Sequence, residues 1–205
     1  STPFKKVAFS SVAFADIDND NDQDLLITGT TGASSISKLY INDGLGSFNE
    51  AENTPFEGVS SGSIAFADVD GDNDQDVLIS GSTGSRAIAK LYVNDGVGNF
   101  LEKKSTPFQG VNNSSVAFAD IDRDDDLDLL ITGYNGAEVI SKLYLNDDGQ
   151  GNFIEVAETP FIGVQNGSVA FADTDGDKDM DVLITVRDYE GYFLSTFFVN
   201  ESLVS

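Results

Sequence analysis

The 205-residue chain contains no histidine, no cysteine and no tryptophan, one methionine, four prolines and only 11 basic side chains. Without histidine or cysteine there is no zinc site of the usual kind, no disulfide framework, no cysteine nucleophile and no Ser-His-Asp triad. The 11 Lys and Arg stand against 35 Asp and Glu, a net charge of -24. Nucleic acid and anionic membrane surfaces need the opposite balance, so neither is an expected partner. No stretch approaches the roughly 20 apolar residues of a helical span, and membrane insertion is not expected. No basic and apolar leader opens the sequence, so any export signal is expected outside this segment. What is plentiful is apolar bulk, 40% of the residues, enough at this length for a packed core.

Self-similarity is the next feature. A Ser-Val/Ile-Ala-Phe-Ala-Asp string ends at Asp16, Asp68, Asp120 and Asp173, and Thr-Pro-Phe recurs at Thr2, Thr54, Thr106 and Thr159. Such a period marks a repeat architecture. The chain reads as a single repeat domain, 1–205, with repeats at approximately 1–52, 53–104, 105–157 and 158–205. The third copy is one residue longer, within the turn Asn146 to Phe153. Each repeat holds short runs rich in Val, Ile, Leu, Phe and Tyr, bounded by Asp, Asn, Gly and Pro, which predicts four strands. In Val12-Ala13-Phe14-Ala15 both faces are apolar, one bulky and one small, so the first strand is expected to be buried on both sides. Sheets stacked face to face in this way are propeller blades. The expected fold is therefore all-β: a β-propeller of four four-stranded blades. The last blade is expected to be truncated, because the fourth copy runs to Asn200 and continues only as Glu201 to Ser205, without a fourth strand. Closure of four blades alone, a segment of a larger ring, and a homodimer completing one ring all stay open.

The strongest chemical signal lies between the first and second strands. Aspartate occupies every odd position of a nine-residue loop: Asp16, Asp18, Asp20, Asp22 and Asp24; Asp68, Asp70, Asp72, Asp74 and Asp76; Asp120, Asp122, Asp124, Asp126 and Asp128; Asp173, Asp175, Asp177, Asp179 and Asp181. Close carboxylates repel by about 1 kcal/mol per pair even in water. A hard cation offsets that, and calcium takes six to eight oxygens from such loops. The first, third, fifth and ninth positions are expected to offer carboxylates and the seventh its carbonyl. About one calcium ion per repeat, four in all, is expected. The even positions, Asn19, Gly71, Arg123 and Gly176, then Asn21, Asn73, Asp125 and Lys178, are expected to face outward and to vary freely. An EF-hand is excluded, because its bidentate Glu at position twelve is here Ile27, Ile79, Ile131 or Ile184. The bland alternative is a solvated acidic turn.

The SVAFADxDxDxDxDxDLLITG pattern, followed by LYxND and a glycine turn, resembles the FG-GAP and VCBS-type repeats of integrin-like calcium-binding β-propellers. The resemblance spans all four copies. It implies calcium in the loop joining the first two strands of each blade, the ligand roles above, and an extracellular or cell-surface setting. The chain departs from the family pattern at the sixth loop position, usually Gly, and has fewer repeats than is usual.

The expected function is an extracellular, non-enzymatic module for adhesion or recognition of a protein or glycan ligand, with lectin-like binding among the readings and calcium structural. The alternative is a polysaccharide lyase or glycosidase, or an ancillary carbohydrate-binding module. A catalytic carboxylate pair should be singular, and Arg187 to Glu190 is the least repetitive charged cluster. A partner is expected at the most divergent loops, which carry Ser34, Ser35, Arg86, Tyr134, Asn135, Glu138, Arg187, Asp188, Tyr189, Glu190 and Tyr192; unconstrained hairpin tips explain the same divergence. Tyr40, Tyr92, Tyr144 and Phe198 read as inter-blade core in preference to a sugar-stacking ladder. Lys38, Lys90 and Lys142 read as an outer edge or a salt bridge to a neighbouring blade. Pro3, Pro55, Pro107 and Pro160 fix turns, with Phe4, Phe56, Phe108 and Phe161 as apolar plugs.

Overall fold

A computed structural model describes residues 2–187 and 193–200, without the side chains of Arg187 and Phe193. Each repeat folds into its own antiparallel meander, with strand order following chain order. The first sheet is β1 (Ala8–Ala15), β2 (Asp24–Thr30), β3 (Ser35–Asn42) and β4 (Phe48–Glu50). The second is β5 (Ile64–Ala67), β6 (Asp76–Ser82), β7 (Ala87–Asn94) and β8 (Phe100–Glu102). The third is β9 (Asn112–Ala119), β10 (Asp128–Tyr134), β11 (Val139–Leu145) and β12 (Ile154–Glu155). The fourth has three described strands, β13 (Ser168–Ala172), β14 (Asp181–Arg187) and β15 (Phe193–Phe198). No helix occurs among the described residues, so none is long and apolar enough to cross a membrane.

The sheets stack as blades through their first strands: β1 packs on β5, β5 on β9 and β9 on β13. Among the described residues β13 and β1 do not form a comparably packed pair. The bulky-and-small alternation explains the stacking. Ile64, Val116 and Val169 are each 8% exposed, whereas the equivalent Val12 is 59% exposed because no blade lies against it. Burial on both faces thus holds for β5 and β9; it fails for β1, whose bulky face is open, and for β13, whose Ala170 and Ala172 are exposed.

Tyr40, Tyr92 and Tyr144 are fully buried. Each meets a Thr-Pro-Phe ring edge-on, Phe4 at 5.2 Å, Phe56 at 5.0 Å and Phe108 at 5.1 Å between centroids. Their hydroxyls accept backbone N–H bonds from Lys5, Glu57 and Gln109. Phe198 pairs with Phe161 in the same way at 5.0 Å. These rings are core, and no sugar can stack on them. Edge-to-face packing adds about 1 kcal/mol per pair beyond burial. Lys38 pairs with Glu50, Lys90 with Glu102 and Lys142 with Glu155. These three partners lie on the fourth strand of the lysine's own blade, and Lys90 also reaches Glu57, in the segment before β5, at 3.0 Å, so of the two expectations the bridge to a neighbour is the one corrected. The adjacent third and fourth strands bring the pairs together.

A further feature links the blades near their first strands. Phe9, Ser61, Asn113 and Asn166 have positive φ, 48°, 51°, 48° and 53°. The Ser61 N–H donates to the Phe9 carbonyl at 2.8 Å, Asn113 to Ser61 at 2.6 Å and Asn166 to Asn113 at 2.8 Å. One backbone bond of this series crosses each of the three joints.

Candidate metal centres

Each aspartate loop is folded by its own carboxylates. The first-position side chain accepts backbone N–H bonds from across the loop: Asp16 from Asp20 and Asn21, Asp68 from Gly71 and Asn73, Asp120 from Arg123 and Asp125, Asp173 from Gly176 and Lys178. The fifth position, Asp20, Asp72, Asp124 or Asp177, accepts the N–H of the seventh. The chain turns this tightly because positions four and six have φ between 60° and 85° in every loop. Asn, Asp and Gly tolerate that region, while other residues are strained there. The even positions therefore do not vary freely: their backbone is constrained.

They are not all outward-facing either. The Asn19 amide donates to Asp74 Oδ1 in the next blade at 2.7 Å, and Arg123 Nη2 reaches Asp179 Oδ2 in the next blade at 3.1 Å. Gly71, the equivalent in the second loop, has no side chain to do this. The seventh-position carboxylates instead lie under the Asn-Asp-Gly turn. A Cβ on Gly44, Gly96 or Gly149 would fall 2.2 to 2.4 Å from an oxygen of Asp22, Asp74 or Asp126. The sequence shows these glycines as turn formers, but not that they close over the acidic loop.

The ninth position joins the loop to the third strand. Asp24 accepts from Ile17 N–H and Asn42 N–H; Asp76 accepts from Val69 and Asn94, and Asp128 from Ile121 and Asn146. All three aspartates are 1–2% exposed. Carboxylate oxygens of Asp16, Asp18 and Asp24 lie within 4.8 Å of one another, as do those of Asp68, Asp70 and Asp76, and of Asp120, Asp122 and Asp128. The third-position Oδ1 of Asp18, Asp70 and Asp122 is buried without a hydrogen-bond partner. An oxygen-only donor set with one unpartnered anionic oxygen fits a hard divalent cation. These triads can hold one metal ion per blade.

In the metal-free chain, burial pushes Asp76 and Asp128 up to about 7, against the opposing backbone N–H bonds. Burial, then neighbouring aspartates, also raises Asp70 and Asp122. A carboxyl raised on folding holds its proton more tightly folded than unfolded. Its stabilising effect is thus complete below the unfolded pKa and disappears as pH rises through about 7. Because the folded chain binds the extra protons, the melting temperature of the chelated chain should fall between about pH 5 and pH 8. Calcium affinity should fall by about tenfold per pH unit below about 7, since metal and proton compete for one carboxylate. Calcium titrations at both ends of that range test this, and a pH-independent affinity would contradict it.

The fourth loop differs. Its closest triad is Asp173, Asp175 and Asp177, all exposed. Asp181 accepts the Thr174 N–H, as the other ninth-position aspartates accept theirs, and in addition the Thr174 hydroxyl, which holds its carboxyl below the usual range. Asp179 is buried and paired with Arg123. Lys178 has φ 76°. Replacing Lys178→Gly should relieve about 1 kcal/mol of left-handed strain. That should raise the melting temperature by about 2–4 °C in a protein of this size. Differential scanning calorimetry in calcium would show it; a drop would mean the lysine makes a favourable contact that outweighs the strain.

Of the divergent tips, Ser34, Arg86 and Glu138 are exposed, and Arg86 is engaged by both oxygens of Glu57 at 2.8 and 2.9 Å. Asn135 is tied to Gln109. Asp188, Tyr189, Glu190 and Tyr192 lie outside the described residues, so the cluster from Arg187 to Glu190 does too.

No curated protein matches the chain significantly. The family model described as FG-GAP-like repeat matches residues 16–79, 68–131 and 126–184. The first two matches each begin at an aspartate loop, include the next one and end in the second strand of the following blade; the third begins at Asp126, inside the third loop, and takes in the whole of the fourth. The chain belongs to the FG-GAP-like repeat family.

Proposed function

We propose that the chain is an extracellular calcium-stabilised module for adhesion or recognition, in which the ions are structural, no reaction is catalysed, and a protein or glycan docks on the hairpin tips opposite the metal loops. The observation that carries the metal reading is the third-position oxygen, buried and unpartnered at the same place in the first three loops. Calcium suits the oxygen-only set, and millimolar extracellular calcium fills sites of modest affinity that cytosolic levels leave empty. With no cysteine to form disulfides, bound metal is the remaining staple for loops this acidic. The tips Thr31 to Ser34, Thr83 to Arg86 and Asn135 to Glu138 are held by the N–H groups of Ser34, Arg86 and Glu138, which donate to the side-chain oxygens of Thr31, Thr83 and Asn135. Such turns present side chains from a fixed backbone, which lowers the ordering cost of binding.

The test is a binding screen against glycans and extracellular matrix proteins, in calcium and in chelator. A calcium-dependent partner whose binding is weakened by Glu138→Ala or Tyr134→Ala supports the reading. Turnover of any polysaccharide would overturn its non-enzymatic part.

A further inference from the structure

Neighbouring aspartate loops are tied to one another, but not equally. At all three joints the turn asparagine of the following blade donates to the carbonyl at position two of the preceding loop: Asn94 to Ile17 at 2.8 Å, Asn146 to Val69 at 2.9 Å and Asn200 to Ile121 at 2.9 Å. That bond is uniform and sets the loops side by side. What differs is the side chain at position four. Asn19, held at φ 60° between Asp18 and Asp20, donates its amide to Asp74 Oδ1 at 2.7 Å and to the Gly96 carbonyl at 3.3 Å. Arg123 makes the corresponding reach from the third loop, Nη2 to Asp179 Oδ2 at 3.1 Å. Both acceptors are the seventh position of the following loop.

Between these two stands Gly71, which has no side chain to extend. A Cβ built there would meet only the Gly149 carbonyl, at 3.7 Å. Among the described residues, the third loop's seventh-position carboxylate, Asp126, takes no bond from the second loop. The nearest substitute is Gln150, whose Nε2 lies 3.4 Å from the Asp70 carbonyl. That contact reaches main chain at position three and does not touch Asp126. The first joint therefore has a direct link from position four to position seven, and the second joint has none.

The seventh position is where such a link acts on a metal site. The Asp74 N–H donates to Asp72 Oδ1 at 3.0 Å, and its carbonyl is the expected ligand. Its carboxylate is covered on another side by the turn at Gly96. Asn19 closes a further side, so it restrains the residue that must present the carbonyl. Asn19 itself follows Asp18, a member of the first triad. A cation that orders the first loop orders Asn19, and Asn19 orders position seven of the second loop.

We propose that position four couples calcium binding between neighbouring loops: Asn19 links the first and second sites so that occupancy of one favours the other, while Gly71 leaves the second and third unlinked. The proposal rests on the reading of these loops as calcium sites. The coupling has the size of one net hydrogen bond to a charged acceptor in partly exposed surroundings, about fivefold in affinity. Repulsion between neighbouring ions acts at both joints and opposes this effect, so the second and third loops measure it without the bond.

Calcium titration of the whole chain followed by amide NMR, in about 0.15 M salt to screen distant charges, tests this. The Asn21, Asn73 and Asp125 N–H groups each bond a first-position carboxylate and report the first, second and third sites. Asp18→Ala removes a carboxylate of the first triad. It should weaken the second site about fivefold and leave the third unchanged. Asp70→Ala should weaken the first site by the same factor, because coupling free energy is reciprocal, and should not weaken the third. Asn19→Gly should abolish both effects without unfolding the loop, since Gly71 and Gly176 occupy this position elsewhere. Gly71→Asn should extend the effect of Asp70→Ala to the third site. A second site indifferent to Asp18→Ala overturns the proposal, as does a third site weakened as much as the second. So does a coupling that survives Asn19→Gly, or a third site that Gly71→Asn leaves uncoupled. Amides that respond to calcium in none of the loops overturn the calcium reading itself, and the coupling with it.

Discussion

Removing divalent cations should lower the melting temperature by roughly 20 °C, the largest effect expected of any change in solution conditions. An ion present at about 100 times its Kd stabilises the state that binds it by about 2.7 kcal/mol, so three well-formed triads contribute about 8 kcal/mol. In a protein of this length each kcal/mol moves the midpoint by about 2–4 °C. The repulsion that the ions offset is local. Of 35 acidic residues, 21 are the aspartates of the four loops, Asp125 included, whose sequences include only Arg123 and Lys178 as counter-charges. High concentrations of sodium chloride should restore little of the loss, because salt screens long-range repulsion while leaving the buried Oδ1 of Asp18, Asp70 and Asp122 without a partner. Calorimetry in calcium, in EGTA, and in EGTA with molar salt separates these effects. An unchanged midpoint in EGTA would sink the metal reading of all four loops.

Much of this fold was legible because it is written four times over. A single Ser-Val-Ala-Phe-Ala run is ambiguous, but its recurrence with the same bulky-and-small alternation specifies a strand buried on both faces. The substitution of Phe198 for Tyr at one of four equivalent sites correctly pointed to core, since a ring whose hydroxyl is dispensable is there for packing. The aspartate clusters were legible for a similar reason, since alternate identity at five sites exceeds what turn chemistry needs, but not that only the first, third and ninth positions converge in the first three loops.

What repetition could not reveal were contacts made by the backbone or between repeats. The series through Phe9, Ser61, Asn113 and Asn166 joins residues with no shared chemistry, because the bond uses main-chain atoms. The Asn94 bond to Ile17 spans 77 residues and depends on how blades stack. The role of Thr174 was missed for a different reason. Its hydroxyl donates to Asp181, a bond that the Ile or Val at the same even position of the other copies cannot make, and the closest triad of the fourth loop uses the fifth position in place of the ninth. The exposure of Val12 and Phe14 was equally hidden, since their sequence matches that of buried counterparts.

Among single substitutions, Asp76→Ala should be the most damaging in the loops, because this one side chain serves two purposes. It is 1% exposed, its Oδ2 accepts the Val69 N–H at 3.0 Å and its Oδ1 the Asn94 N–H at 2.8 Å. It also completes the triad with Asp68 and Asp70. Alanine orphans two buried amides at about 1–3 kcal/mol each. It also removes a metal worth about 2.7 kcal/mol under the conditions above. The total, on the order of 5–8 kcal/mol, is comparable with the whole stability of a typical domain. Asp72→Ala, at the exposed fifth position, gives up a single bond to the Asp74 N–H at 3.0 Å, so about 1 kcal/mol is expected. Denaturant unfolding of both variants in calcium and in EGTA distinguishes the two contributions. In EGTA the deficit of Asp76→Ala should shrink by the metal's share and keep the part that belongs to the amides. If Asp76→Ala proved no worse than Asp72→Ala in calcium, the ninth position would be neither a ligand nor the link between the loop and the third strand.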